Sequence, residues 1–498
     1  MTLPKSLSLI LAAILAAACL FTACGEASES PSAPSATASP AETAAETEPP
    51  SELELRAQIS DDLPEADFGG YEFRVVIENY IGDWYDIAEL TGDIVDDAVY
   101  ERNLAVSERF NIKYSYIQPG DYSTVGSWMQ KTVLAAEDAF DIGIHHVVNA
   151  SKIVLKGVFL DWYKVPYIDL TKPWWNRSNI EDLTYAGVAP IVIGDYVLNA
   201  VSGTYCMFYD KVVADSYGIS DMYGMVNDGK WTIDRMSELT ENVYTDLNGD
   251  NQRDRDDYYG FATGAASNIG AYIWAFNNPV CTKNGDGTVS VTIKTEKMNQ
   301  IVEKINKICW ENIGTYYKPG GDDHHSGGIN MFSENKAMFA NATIGNSVAL
   351  RDFEHDFGII PYPKWDEAQA DYRELVDGSH CCELIPITST DLERSGMIIE
   401  ALNAESYKQV IPIYFETALK VKYSRDNESV QVLDMLLANR FFDFGYVYDG
   451  WEGASFWLEG LVQQHKTDFE SFYAKNEKKM LKHYDKVFEY LEELAANG

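Results

Sequence analysis

Tyr71-Glu-Phe-Arg-Val-Val-Ile77 alternates polar and apolar positions and is rich in β-branched and aromatic residues, which predicts a strand. Asp96-Asp97 then head a stretch running to Phe110 whose apolar residues recur at helical spacing, so a capped helix is expected there. Ile112-Lys-Tyr-Ser-Tyr-Ile117 reads as a second strand, Val125 to Glu137 as a second helix, and Phe140-Asp-Ile-Gly-Ile144 as a third strand. Strand, helix, strand, helix, strand implies a parallel sheet with crossover helices. Gly194 to Gly203 reads as a strand running into a crossover, and Trp231-Thr-Ile-Asp-Arg-Met-Ser-Glu-Leu239 as a helix with Thr232 as N-cap and Asp234 in its first turn. A late helix from Phe472 to Leu491 carries Met480, Tyr484, Val487 and Leu491 on one stripe.

Composition adds an address. Lys5 followed by apolar Leu7 to Ala18 is a signal peptide, and Leu20-Phe-Thr-Ala-Cys24 resembles a bacterial lipobox whose Cys24 would be lipidated. Residues 25 to 65 are rich in Ser, Pro, Ala, Thr and Glu and read as a disordered acidic linker, because such a stretch buries too little apolar surface to fold. The expectation is a soluble extracytoplasmic body held to the outer face of the membrane through the lipid anchor only, since no later segment is long enough to span.

The 498-residue chain has a net charge of −38. That sign argues against nucleic acid and fits neutral or cationic ligands. Beyond Cys19 and Cys24 the cysteines are Cys206, Cys281, Cys309, Cys381 and Cys382, an odd set without regular spacing that reads as buried small hydrophobes rather than a disulfide framework.

Two kinds of chemistry stand out. Asp246, Asn248, Asp250, Asp254 and Asp257 place oxygen side chains at positions one, three, five, nine and twelve of a loop, with the Gln252 carbonyl at seven, which is the ligand spacing of an EF-hand calcium loop. Asn251 stands where the sharp turn usually has Gly, and Asn tolerates positive φ. Asp257 stands where the usual residue is Glu. The loop is therefore expected to hold a structural calcium ion. The second kind is aromatic. Asn79 to Tyr85 contains Trp84, and Trp174-Trp175-Asn176 puts paired indoles beside an amide, a combination suited to stacking on sugar rings. Ligands of open α/β sheets bind beyond the carboxyl ends of strands, which nominates the Trp84 loop and His145-His146.

Tyr209-Asp-Lys211 after a strand, then Gly218-Ile, the Trp231 helix, the acidic loop and Tyr259-Gly-Phe261 follow one another in an order that resembles the maltose-binding-like extracellular solute-binding proteins of ABC importers. Met331 to Phe339, Phe357 to Lys364 and Ala401 to Tyr407 resemble the same family. Together these stretches span most of residues 70 to 490. The resemblance implies an α/β, two-lobed periplasmic-binding-protein-like fold, each lobe a mostly parallel sheet flanked by helices, with a hinge between lobes.

On that map residues 1–24 are the signal peptide, 25–65 the linker, 66–200 lobe 1, 201–378 lobe 2, and 379–498 the return to lobe 1 with C-terminal helices packed across the lobes. The chain crosses near Val201 to Tyr205 and again near Val376 to Leu384, with Gly378 free to absorb a hinge change. The implied protein is a monomer that captures a solute, an oligosaccharide, and delivers it to permease subunits. Its ligand-binding candidates are Trp84, His145, Trp174, Trp175, Asn176, Tyr205, Trp274, Asn341, Asp377 and His380. A secreted glycoside hydrolase and a cell-surface carbohydrate sensor are the alternatives. A hydrolase needs two carboxylates facing one cleft, and the sequence shows no Gly-x-Ser-x-Gly elbow, zinc motif, P-loop or dinucleotide fingerprint to favour catalysis.

Overall fold

The computed structural model of the chain describes residues 52–350, 352–415, 427–450 and 453–496. The signal peptide, Cys24 and most of the predicted linker lie outside the described residues.

The alternating Tyr71–Val76 segment forms strand β1, flanked by parallel β2 (Ile112–Ile117) and parallel β3 (Ile142–His146). Their connections are the helix Ile94–Phe110 and the helix Val125–Leu134. The first helix starts a turn earlier than its sequence suggests, because Asp93 rather than Asp96 caps it: the Asp93 carboxylate accepts the Val95 N–H at 2.9 Å. Strand β3 begins and ends two residues later than predicted, so His145 and His146 are its last residues rather than residues beyond it. The predicted strand at Gly194 to Gly203 is instead a stretch with isolated bridges ending in the short helix Asn199–Ser202.

The second sheet is built from β4 (Tyr205–Asp210), β5 (Tyr244–Thr245), β6 (Tyr258–Thr263), β9 (Thr315–Tyr317), β10 (Ala337–Thr343) and β11 (Phe357–Ile360), with β7 (Cys281–Lys283) and β8 (Val289–Val291) forming a separate hairpin. This sheet is mixed: β10 runs parallel to β6, while β4 enters antiparallel to both β10 and β11. Every residue of β4 is buried, which fits the apolar and aromatic run from Tyr205 to Tyr209. The helix Asp323–Ser333 lies on β6 and β10. It can do so because Gly328 has no side chain: a Cβ there would sit 2.8 Å from the Ala262 carbonyl oxygen.

Three short strands complete the order, β12 (Glu374–Leu375) paired with β14 (Arg440–Phe441), and β13 (Cys381–Leu384). Although late in the chain, β13 joins the first sheet antiparallel to β3, giving the order β13-β3-β1-β2. The chain thus leaves the first sheet before Tyr205 and re-enters it at Cys381. The two crossing segments run side by side, bridged at Thr204 and Val376, with the Asp377 N–H donating to the Gly203 carbonyl at 2.8 Å. Gly378 lies in this crossing, and what it provides is space rather than a special backbone angle: a Cβ there would meet Val148 Cγ2 at 2.6 Å.

The final helix runs from Phe469 to Ala496 and buries Met480, Tyr484, Val487 and Leu491, the predicted stripe. It touches both parts of the body, through Tyr185 stacked on Phe488 and through Asn299 donating to Glu470. The body also begins earlier than composition suggests. Residues 52–57 of the predicted linker form a helix, Arg56 lies 4.6 Å over the Tyr407 ring, and Asp62 pairs with Lys172 at 2.6 Å. Acidic residues there meet specific cations, so charge that signals disorder in isolation becomes a tether in context. Cys206, Cys281, Cys309, Cys381 and Cys382 are all buried and free, as expected. Among the described residues no helix is long and apolar enough to cross a membrane.

Candidate functional site

The carboxyl ends of β1 and β3 face a cleft of about 780 Å³ whose opposite wall follows β6 and β10 and whose floor is the pair of crossing segments.

The first wall is organised by one buried carboxylate. Glu78, just past β1, is fully buried; its Oε1 lies 2.6 Å from His145 Nδ1 and accepts the His146 backbone N–H at 3.0 Å, and its Oε2 lies 3.3 Å from His146 Nε2. Burial pushes this carboxyl up, but the His145 hydrogen bond and the two imidazoles outweigh it and hold the group below the usual carboxylate range. Burial lowers His146, with Glu78 opposing it. The Tyr80 hydroxyl bonds His146 Nε2, and the Tyr122 ring stacks on His146 at 5.4 Å. The result is a rigid base from which Tyr80 and Trp84 stand out, half and one-third exposed, on the cleft wall.

The floor is carried by Tyr205, Asp377 and His380. Tyr205 opens β4 and donates its hydroxyl to Asp377 Oδ2 at 2.6 Å; the Ser379 N–H donates to Asp377 Oδ1 at 2.9 Å. His380 Nδ1 lies 2.5 Å from the Asp377 carbonyl oxygen. A carbonyl only accepts, so Nδ1 carries the proton. Burial, offset in part by the Asp377 carbonyl and charge, holds the imidazole at about 4, so it is neutral at physiological pH. The far wall has Ser267 and Asn268 after β6, His325 on the helix Asp323–Ser333, and Thr343 with Asn346 at the end of β10. Asn346 accepts from the Thr343 N–H at 3.1 Å, which fixes this corner.

Four of the ten sequence candidates line the cleft: Trp84, Tyr205, Asp377 and His380. The other six do not. Trp174 and Trp175, 0% and 2% exposed, donate their indole N–H groups to the two oxygens of Glu400, at 3.0 and 2.9 Å, and belong to the core. Asn176 caps the helix Arg177–Leu183, accepting the Asn179 N–H at 2.9 Å. Trp274 is buried, donates to Asp443 at 2.7 Å and packs on Tyr446. Asn341 is buried behind the wall, where it and Asn268 each donate a side-chain amide N–H to the other's backbone carbonyl. His145 is buried against Glu78, one strand position from His146, which does line the cleft. Asn176 is claimed by its own helix; in the other five cases a polar partner from a distant segment claims the group, and such a partner is invisible in the local sequence. Tyr80, Asp93, Asp96 and the far-wall polar residues were not singled out. Tyr80 could have been, since it shares the Trp84 loop.

The acidic loop lies away from this cleft. Asn251 has φ +60°, so it makes the turn that its position demanded. Asp246, Asn248, Asp250 and Asp254 each accept backbone N–H groups within the loop, and Asp257 takes the Tyr244 hydroxyl at 2.9 Å. Gln252 contributes a carbonyl to the same hydroxyl at 3.3 Å. Among the described residues no three His, Cys, Asp or Glu side chains converge as a metal cage.

No family model matches the chain, and no curated protein matches it. Solved structures do. UgpB from Mycobacterium tuberculosis, in complex with glycerophosphocholine, is 16% identical with a TM-score of 0.54, over 84% of this chain and 99% of that one. A cyclo/maltodextrin-binding protein complexed with maltotetraose is 10% identical with a TM-score of 0.53, over 85% and 96%. Maltose-bound MalE3 of T. maritima is 11% identical with a TM-score of 0.51, over 85% and 100%. The chain has the two-lobed α/β fold of these binding proteins.

Proposed function

We propose that the protein is the substrate-binding component of an ABC importer, which captures an oligosaccharide by closure of two lobes and hands it to permease subunits. The observation that carries this reading is the cleft of about 780 Å³, walled from both sheets and floored by the two crossing segments. A ligand there would touch both lobes at once, so it favours the closed arrangement by its differential contacts. The size falls in the range of small-molecule sites, roughly 300–1,000 Å³. Exposed Tyr80 and Trp84 offer apolar faces for sugar rings, and His, Asn, Ser and Thr side chains offer hydrogen bonds. Maltose and maltotetraose in the neighbouring structures support the choice of sugar.

The same reading places the protein outside the cytoplasm, tethered through Cys24, acting as a monomer and without catalytic activity. A structural calcium ion in the Asp246–Asp257 loop belongs to it as well. The ion would draw the Asp246, Asn248, Asp250 and Asp254 oxygens away from the N–H groups they now accept, with the Gln252 carbonyl and Asp257 completing the set. The test is a ligand panel read by thermal shift, with a sugar-release assay alongside. A bound oligosaccharide at a hundred times its dissociation constant adds about 2.7 kcal/mol of stability. A panel of neutral and charged oligosaccharides without any shift overturns the reading, and released reducing sugar favours the hydrolase.

A further inference from the structure

Among the described residues, the charged side chains on the cleft wall are all acids or histidines. Asp93, Asp96 and Asp377 line it, and no described lysine or arginine does. Asp93 is committed to the helix N-terminus that it caps. Asp377 is different. It lies on the floor, where Tyr205 and the Ser379 N–H donate to it, and among the described residues no cation pairs with it. Two neutral donors leave a carboxylate with about two of its four acceptor positions open and its charge uncompensated.

The neighbouring groups do not supply the missing charge. His380 is neutral, and Arg440, whose charge helps to keep it so, pairs with β12 through β14 and is not on the cleft wall. His146 is lowered by burial. Glu459 is an acid pushed up to about 8, by burial first and then by the Asp377 charge, so it adds no cation.

A second observation points the same way. His380 lines the cleft beside Asp377, but its Nδ1 proton is spent on the Asp377 carbonyl, so it donates nothing to the Asp377 carboxylate. The open acceptor positions of that carboxylate favour a ligand that brings donors. The floor therefore combines a negative charge with unsatisfied acceptors. A hydroxyl answers with one donor and no charge, and an ammonium answers with three donors and a positive charge. A carboxylate or phosphate brings neither and is repelled.

We infer that the cleft selects an amine-bearing oligosaccharide of the glucosamine type, its ammonium taken by the open acceptor positions of the Asp377 carboxylate. This deepens the sugar-binding reading and rests on it.

The experiment is calorimetry of the soluble body with four trisaccharides of similar size: the glucosamine trimer, its fully N-acetylated counterpart, maltotriose and trigalacturonate. The glucosamine trimer binds about tenfold tighter than the neutral pair, because a charge-assisted hydrogen bond is roughly twice as strong as a neutral one. Trigalacturonate binds weakest. In Asp377→Asn the amine preference collapses toward a ratio of one. Should that variant fail to fold, the wild-type protein still decides: the preference shrinks between low salt and 0.5 M salt if it is electrostatic. Neutral trimers binding as tightly as the amine, with a ratio indifferent to salt and to Asp377→Asn, overturn the amine inference and leave the sugar-binding reading standing. Absence of binding by all four overturns both.

Discussion

Trp84 and the Trp174-Trp175 pair look alike in the sequence: each is an indole beside polar neighbours, suited to stacking on a sugar ring. They have opposite lives. Trp84 stands on the cleft wall, about one-third exposed, with its loop anchored by the Glu78 and His146 base. Trp174 and Trp175 are sealed under the helix Leu392–Glu405, where one carboxylate, Glu400, accepts both indole N–H groups. The same helix sends Asn403 to Glu383, whose other oxygen takes the Gly194 N–H at 3.1 Å. The lesson is that an aromatic with a polar tip is a binding surface or a core element according to who satisfies the tip. A protein carboxylate that reaches both indoles turns them inward, and a ring whose face meets only solvent is left for a ligand.

The comparison breaks most sharply at Trp175. Trp175→Ala removes a fully packed ring and strands one oxygen of Glu400, so it costs about 3–5 kcal/mol of stability by chemical denaturation. Any folded fraction keeps its sugar affinity. Weakened binding with unchanged stability would return the pair to the ligand site.

Trp84→Ala is the mirror image. Little packing is lost, so the melting temperature of the free protein moves by only a degree or two, while oligosaccharide binding weakens by about 1–3 kcal/mol if the ring is a central platform. Calorimetry alongside thermal melts separates the two effects, and equal affinity in the variant removes Trp84 from the site.

The carboxylate beneath the pair gives a pH signature. Burial pushes Glu400 up to about 8, from 4.5 in an unfolded chain, with the indole hydrogen bonds opposing it. Glu383 is pushed up to about 8 for the same reason. Between those pH values the folded state binds more protons than the unfolded state, so this contribution is fully present below about pH 4.5 and is lost as pH rises through about 8. Melting curves should therefore fall from pH 6 to pH 9, and Glu400→Gln should flatten the slope. A slope unchanged in that variant assigns the loss to other buried acids.

The acidic loop yields the smallest effect. Calcium binds the folded loop and not the unfolded chain, so it should raise the melting temperature by a few degrees. Asp250→Ala should abolish that increment with sugar affinity unaltered, because the loop lies away from the cleft. Magnesium should substitute poorly, since it demands a smaller octahedral cage. Superimposable melts in chelator and in millimolar calcium, with no metal in the protein, would remove the ion.

Local pattern by itself determined the strands β1 and β2, the helix capped by Thr232, the turn at Asn251 and the buried stripe of the last helix, because alternation, helical spacing and turn chemistry are written within a few residues. The order of such stretches was enough for two lobes and two crossings. Tertiary structure decided which of the nominated side chains reach the cleft. Asp377 and His380 were legible because a crossing must pass between lobes, and Trp84 because it follows a strand. His145 and His146 are adjacent residues of β3, yet one is held behind the wall by Glu78 and the other lies on it. Trp174, Trp175 and Trp274 were drawn inward by Glu400 and Asp443, which lie 226, 225 and 169 residues away along the chain. A buried hydrogen-bonding tip must find a partner wherever the fold supplies one, and that pairing exists only once distant segments have come together.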